Sequence, residues 1–376
     1  EWCGIKDYSI AYQGNKFYGD VEEKNPMITL EGVKGFMAAV CPNHTPRDYQ
    51  VQAVYEALLN NRRLLLSPTA SGKSLMIYSL VRYYYASEYK KTGKKTLIIV
   101  PTTSLVEQMY NDFKDYGWDV DEHCHRIYGG KDKNIEKAVI ISTWQSIYKF
   151  PKRWFDDFSC VIGDEAHLFK SKSLTGIMTK LHEAKYRFGF TGTLDGSATH
   201  KWVLEGLFGP VKTVTTTSKL IEDKHAADFK IKAIVLSYPP DVRDKQKKAT
   251  YQEEIDFLAS YAKRNKFLSN LALSLKGNTL VLFRHKDHGK MLHELVSRGD
   301  KQTFYIDGDI DGELRDDVRG IVENLEHSII VASLGTFSTG INIRNLHNVV
   351  FAIPSKSRIK TLQSIGRVLR KSENKT

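Results

Sequence analysis

Cysteine is scarce: Cys3, Cys41, Cys124 and Cys160 stand far apart among 376 residues, and no Cys-x-x-Cys pair occurs. That usage suits free thiols in a reducing compartment. His123-Cys124-His125 has the letters of a metal cluster. Its neighbours point different ways along a strand or helix and no second ligand pair follows, so no metal is expected there. Long apolar runs are also missing, and Glu1-Trp2-Cys3-Gly4 lacks the basic and then apolar plan of a signal peptide. A cytoplasmic protein with no membrane partner is therefore expected. The first residue is not methionine, which leaves room for a longer gene product. No short repeat or low-complexity tract interrupts the chain. Acidic residues fall short of basic ones, 44 against 55, for a formal net charge of +11. Such an excess favours a polyanionic partner, because each phosphate neutralised releases condensed counterions. A basic but indifferent surface is the other reading of the same number.

What is present is length and rhythm. A chain of 376 residues outgrows one hydrophobic core, and 41% hydrophobic with 26% charged residues reads as globular, so two domains are expected. Residues 1–41 are rich in Tyr, Gly and Asn without a long period, which suggests a small β-rich extension or the tail of an accessory domain. Val51, Val54, Tyr55, Leu58 and Leu59 recur at helical spacing over 48–59, ahead of an apolar strand at 64–66 and a helix over 75–85. Buried strands are then expected at 97–100, 138–142, 160–163 and 187–191, alternating with helices as in a doubly wound parallel sheet. A polar stretch at 213–218 is the candidate joint, giving domains at 42–217 and 218–376. Beyond it, one apolar helical face runs over 251–275, and the alternation restarts with strands at 279–283, 303–306, 328–332 and 349–353.

The chemistry lies in the loops at strand carboxyl ends, where open α/β sheets bind ligands. Ser67-Pro68-Thr69-Ala70-Ser71-Gly72-Lys73-Ser74 follows Leu64-Leu65-Leu66 and opens a helix, the plan of a phosphate loop. Its backbone N–H groups wrap phosphate, Lys73 reaches the outer phosphates, and the Ser74 hydroxyl suits Mg²⁺. The strict pattern has Gly where this chain has Ser67; the loop survives if φ there stays negative. Asp164-Glu165-Ala166-His167, after a second buried run, supplies what hydrolysis still lacks. Asp164 would hold the Mg²⁺ water shell and Glu165 would polarise the attacking water. Either motif alone is weak; the two in this order point to ATP hydrolysis.

With these residues on the page, positions 45–371 resemble the superfamily 2 helicases and translocases. The resemblance implies α/β architecture with two tandem RecA-like doubly wound parallel-sheet domains, a short N-terminal extension, and ATP with Mg²⁺ as cofactors. Arg47-Asp48-Tyr49-Gln50 is similar to the adenine-sensing segment, with Gln50 on the adenine edge and Arg47 near the nucleotide. Pro101, Thr102 and Thr103 resemble one segment that grips the phosphodiester backbone and Thr143 a second, although ordinary N-capping explains such residues equally. Trp144 could stack on a base or simply pack. Thr191-Gly192-Thr193 resembles the motif coupling the two chemistries. Arg284, after Phe283, resembles a backbone contact, and Gly335-Thr336-Phe337-Ser338-Thr339-Gly340-Ile341-Asn342 the motif touching both ligands: Thr336 and Ser338 the nucleic acid, Gly340 the nucleotide. Many relatives carry Asp at the Asn342 position. Gln363 and the pair Arg367 and Arg370, three apart on one helix face, resemble the arginine-finger motif that stabilises charge on the transferring phosphoryl group.

Within the superfamily, the strings around Pro101, Ser338 and Gly366, together with Lys263-Arg264-Asn265-Lys266, look most like a phage recombination helicase. That likeness implies a DNA-dependent ATPase remodelling branched or duplex DNA, monomeric, in the host bacterial cytoplasm. A recombinase or single-strand-binding protein would be its partner. An RNA helicase, the motor of a restriction-type complex, and a nucleic-acid-binding regulator with an inactive ATP site are the alternatives.

Overall fold

A computed structural model describes residues 27–129, 135–310, 312–336, 343 and 345–368. Within it the chain divides between Lys219 and Leu220 into two compact units.

The first unit is built on a seven-stranded parallel sheet. Its strands are β1 (Arg62–Leu66), β2 (Lys95–Val100), β3 (Cys124–Ile127), β4 (Val139–Thr143), β5 (Phe158–Asp164), β6 (Tyr186–Thr191) and β7 (Val211–Thr213). They lie in the order β3-β4-β2-β5-β6-β1-β7. Every strand pair is parallel. Both faces are covered, so strand residues alternate between two cores rather than between core and water. Leu65, Ile98, Val100, Ile162 and Phe188 enter one core, while Leu64, Leu97, Ile99, Val161 and Phe208 build the other. Gly163 belongs to this packing, because a Cβ there would lie 2.7 Å from Phe169 and 2.9 Å from Phe208.

The second unit carries a four-stranded parallel sheet: β8 (Thr279–Phe283), β9 (Gln302–Ile306), β10 (Ser328–Ser333) and β11 (Asn348–Phe351), ordered β11-β8-β10-β9. Again the faces alternate, Leu280, Leu282 and Ile330 against Val281, Phe283 and Val331. The buried Asn278 ties this sheet's lower end: its amide donates to the Val322, Leu325 and Asn345 carbonyls and accepts from the Ser328 N–H.

Two expectations change. The described part of residues 1–41 is not β-rich: Leu30–Val40 is a helix, opened by the Thr29 side chain accepting the Gly32 N–H. Its buried residues are Val33 and Met37, with Phe36 and Val40 packed against the same core. The single helix over 251–275 is two, Tyr251–Ser260 and Ala262–Ser274, because Tyr261 turns extended at φ −70° and ψ 104°. Of the polar joint at 213–218, Thr213 closes β7 against Leu66 and Thr217 opens a short helix, Thr217–Glu222, which spans the division between the units.

Candidate nucleotide and nucleic-acid sites

Residues 67–72 leave β1 and lead into the Lys73–Tyr84 helix. Ser67 is absent from the residues with positive φ, so it meets the condition its replacement of glycine sets. Its N–H donates to the Thr191 carbonyl at 2.8 Å, anchoring the loop to the end of β6. Inside the loop the Ser71 hydroxyl donates to the Pro68 carbonyl at 2.6 Å, which leaves the Ser67 hydroxyl to donate to Ser71 at 2.6 Å. The left-handed turn falls at Ala70 (φ 68°) and Gly72 (φ 75°). Gly72 is required twice over, since a Cβ there would also collide with the Gln50 amide. Lys73 Nζ lies 3.5 Å from the Ser67 carbonyl, folded over the hollow that phosphates would fill. Ser74 follows in the first turn of that helix and is half-buried.

The cap and first turn of the Asp48–Asn60 helix brace this loop from behind. Gln50 Nε2 donates to the Ser71 carbonyl at 2.9 Å and the Gly72 carbonyl at 3.4 Å, while its Oε1 accepts the Arg47 N–H at 2.9 Å. Arg47 Nη1 donates to Tyr49, whose hydroxyl donates to Ser71 O at 3.0 Å. Gln50 is thus buried and fully engaged, and pairing with an adenine edge requires it to release these carbonyls.

At the end of β5, Asp164 is buried, and burial first and the Glu165 charge second push its carboxyl up to about 6, against the pull of Lys73. One of its oxygens, Oδ1, has no hydrogen-bond partner among the described residues. A buried carboxylate with an orphaned oxygen, close enough to feel the Lys73 charge, fits Mg²⁺, which takes one or two carboxylates and completes its shell with water and phosphate. Glu165 adopts a left-handed backbone, φ 50°, and turns the chain into the short helix Ala166–Lys170. His167 Nδ1 lies 3.0 Å from Thr191 Oγ1 and 3.3 Å from Glu165 Oε2. Because the Thr191 hydroxyl donates to the Thr193 carbonyl, the proton between the first pair belongs to His167. The acid turn and Thr191-Gly192-Thr193 are therefore hydrogen-bonded to each other and to the phosphate loop.

At neighbouring strand ends, Thr102 Oγ1 caps the Thr103–Asp115 helix by accepting the Leu105 N–H, and Thr103 is exposed. Thr143 closes β4, with Oγ1 2.9 Å from the Ser146 hydroxyl, and Gln145 Nε2 donates to the Pro101 carbonyl, joining the two segments. Trp144 is half-buried against the Leu64 core with its ring across Tyr148, the packed arrangement. In the second unit Arg284, Lys286, Asp307, Gly308, Ser333 and Thr336 line a cavity of about 460 Å³ at the carboxyl ends of β8, β9 and β10. Gln363 lies on the Arg358–Val368 helix with Arg367, whose side chain is outside the described residues, as are Ser338, Gly340, Asn342 and Arg370 altogether.

Two family matches cover most of this chain: "Type III restriction enzyme, res subunit" over residues 43–196 and "Helicase conserved C-terminal domain" over 262–372. The ATP-dependent DNA helicase uvsW of Enterobacteria phage T4 is 41% identical over 338 residues, 88% of this chain and 66% of its own length. A crystal structure of T4 UvsW is 37% identical, covering 93% of this chain and 70% of that one, with a TM-score of 0.46. The chain belongs to the superfamily 2 helicases. It spans about two thirds of the length of the T4 relative. The helicase fold is also that of Saccharomyces cerevisiae Dbp5 bound to RNA and ADP BeF3, at a TM-score of 0.60 and 14% identity over 92% of this chain and 86% of that one.

Sequence reasoning singled out the helicase loops because each is contiguous. It missed Tyr49 as a brace, although Tyr49 stood inside the quoted motif.

Proposed function

We propose that this chain is an ATP-dependent DNA helicase or translocase that remodels branched DNA during recombination and repair. The reading is carried by one observation: a phosphate loop with Lys73 in it, tied through Thr191 to the turn bearing Glu165, beside a buried carboxylate oxygen on Asp164 with no partner among the described residues. The likeness to the T4 DNA helicase supports DNA as the polymer.

On this reading ATP phosphates replace the Ser67 carbonyl as the partner of Lys73, and the N–H groups opening the Lys73–Tyr84 helix donate to them. Arg47 and Gln50 hold the base. Ser74 and, through water, Asp164 would hold Mg²⁺, which would supply positive charge to the outer phosphate oxygens. Glu165 accepts a proton from the attacking water, and His167 keeps its carboxylate aimed. Arg367 and Arg370 take the arginine-finger role and Gln363 orients the water, on the strength of their motif. Thr102, Thr103, Thr143, Arg284, Thr336 and Ser338 hold the sugar-phosphate backbone without reading bases.

The test is ATP turnover on four-way junctions, forked DNA, linear duplex and single-stranded RNA. Branched DNA is expected to stimulate most, and Lys73→Ala is expected to abolish turnover on every substrate. Equal or greater stimulation by RNA would replace DNA with RNA in this reading; turnover that survives in Lys73→Ala would remove the ATP site from it.

A further inference from the structure

His200 is a buried histidine that the reaction above does not use. It sits in the first turn of the Ala198–Phe208 helix, 3% exposed, directly behind the acid turn. Its Nε2 lies 2.9 Å from the main-chain carbonyl of His167. A carbonyl only accepts, so Nε2 carries a proton and donates it. The opposite nitrogen, Nδ1, lies 3.0 Å from Asp195 Oδ1 and 3.3 Å from the Asp195 N–H. Asp195 therefore meets this edge of the imidazole with both its main-chain N–H and its carboxylate.

Asp195 is itself fixed. Lys170, on the far end of the turn that begins at Glu165, donates to its carboxylate at 2.9 Å, and the Ser197 N–H and hydroxyl donate at 2.9 and 2.8 Å. Those bonds hold the carboxyl well below its usual range, the Lys170 contact most of all. Asp195 stands two residues past Thr193, at the exit of the coupling segment. The imidazole thus joins the main chain of the acid turn to the main chain that follows the coupling segment. A second, side-chain tie runs in parallel through His167 and Thr191.

We propose that His200 is a positioning residue of the ATPase: with Asp195 it clamps the His167 carbonyl and so fixes the turn from which Glu165 meets the attacking water. The inference rests on Glu165 acting as the base. Glu165 already holds a left-handed backbone that a non-glycine residue adopts only when its surroundings impose it, and the clamp is one of those surroundings.

The experiment measures ATP kinetics at saturating DNA for the wild-type protein, His200→Leu, His200→Gln, Asp195→Asn and Glu165→Gln, with thermal melting of each. His200→Leu removes both bonds. Its kcat is expected to fall about tenfold, the scale on which partners behind an active group act, while KM for ATP stays within about twofold. His200→Gln can still donate to the His167 carbonyl and is expected to recover most of that loss. Asp195→Asn, on a partly exposed side chain, is expected to give an intermediate kcat even where His200→Leu fails to fold. Wild-type kcat in folded His200→Leu or in Asp195→Asn overturns the inference, as does a His200→Gln protein no better than His200→Leu. If Glu165→Gln turns over normally, the base assignment fails instead, and the two failures are told apart.

Discussion

Asp164 and Gln50 are each held by their surroundings in a way that a ligand must undo. The Asp164 carboxyl ordinarily titrates near 3.8 and here is pushed up to about 6. Folding therefore favours its protonated form. That contribution is complete below the ordinary value and is lost as pH rises through 6. Asp164→Asn keeps the shape and removes the charge. It is expected to stabilise the nucleotide-free protein at pH 7.5 by on the order of 1 to 3 kcal/mol, with a smaller gain at pH 5, while eliminating turnover. Urea titrations at both pH values check this, and an equal gain at both would contradict the assigned cause. Gln50 spends its amide on the phosphate loop, so Gln50→Ala is expected to loosen the loop as well as lose the base contact. KM for ATP should rise roughly tenfold and preference over GTP should vanish, as the loss of one or two buried hydrogen bonds implies. Residues in contiguous motifs were legible from the sequence because the chain itself brings them together. His200 was not, because its partner, the His167 carbonyl, is set by packing between segments remote in sequence.

Strands and helices were legible in proportion to how completely they are buried. Runs such as Leu97 to Val100 announce themselves because both faces of a covered parallel sheet are apolar. The edge strands β3 and β7 gave no such signal: β3 includes His125 and Arg126, both half-buried, and β7 has only three residues. The break at Tyr261 was invisible because apolar spacing continues across it. Gly163 offers a test at this scale. Adding a methyl there drives it onto Phe169 and Phe208, so Gly163→Ala is expected to lose about 1 to 3 kcal/mol in chemical denaturation. No loss would show that the two rings yield freely. The cavity at the ends of β8, β9 and β10 offers another. If Arg284 contacts one phosphate, Arg284→Ala should weaken binding to all DNA sequences alike and reduce the slope of log affinity against log salt by about 1. An unchanged slope would take Arg284 off the DNA.

Across the whole molecule, two parallel sheets with ligand loops at their carboxyl ends followed from the alternation of apolar runs and from the family resemblance. The strand orders did not, because helical crossovers hide which strand a chain returns to. The excess of 11 positive charges predicts that DNA affinity falls steeply with ionic strength, whatever the sequence offered. The Asp164 oxygen that lacks a partner among the described residues reaches further than catalysis. A ligand that satisfies it stabilises the folded state, so the protein without nucleotide is expected to be cut faster by a protease than the protein with ATP and Mg²⁺.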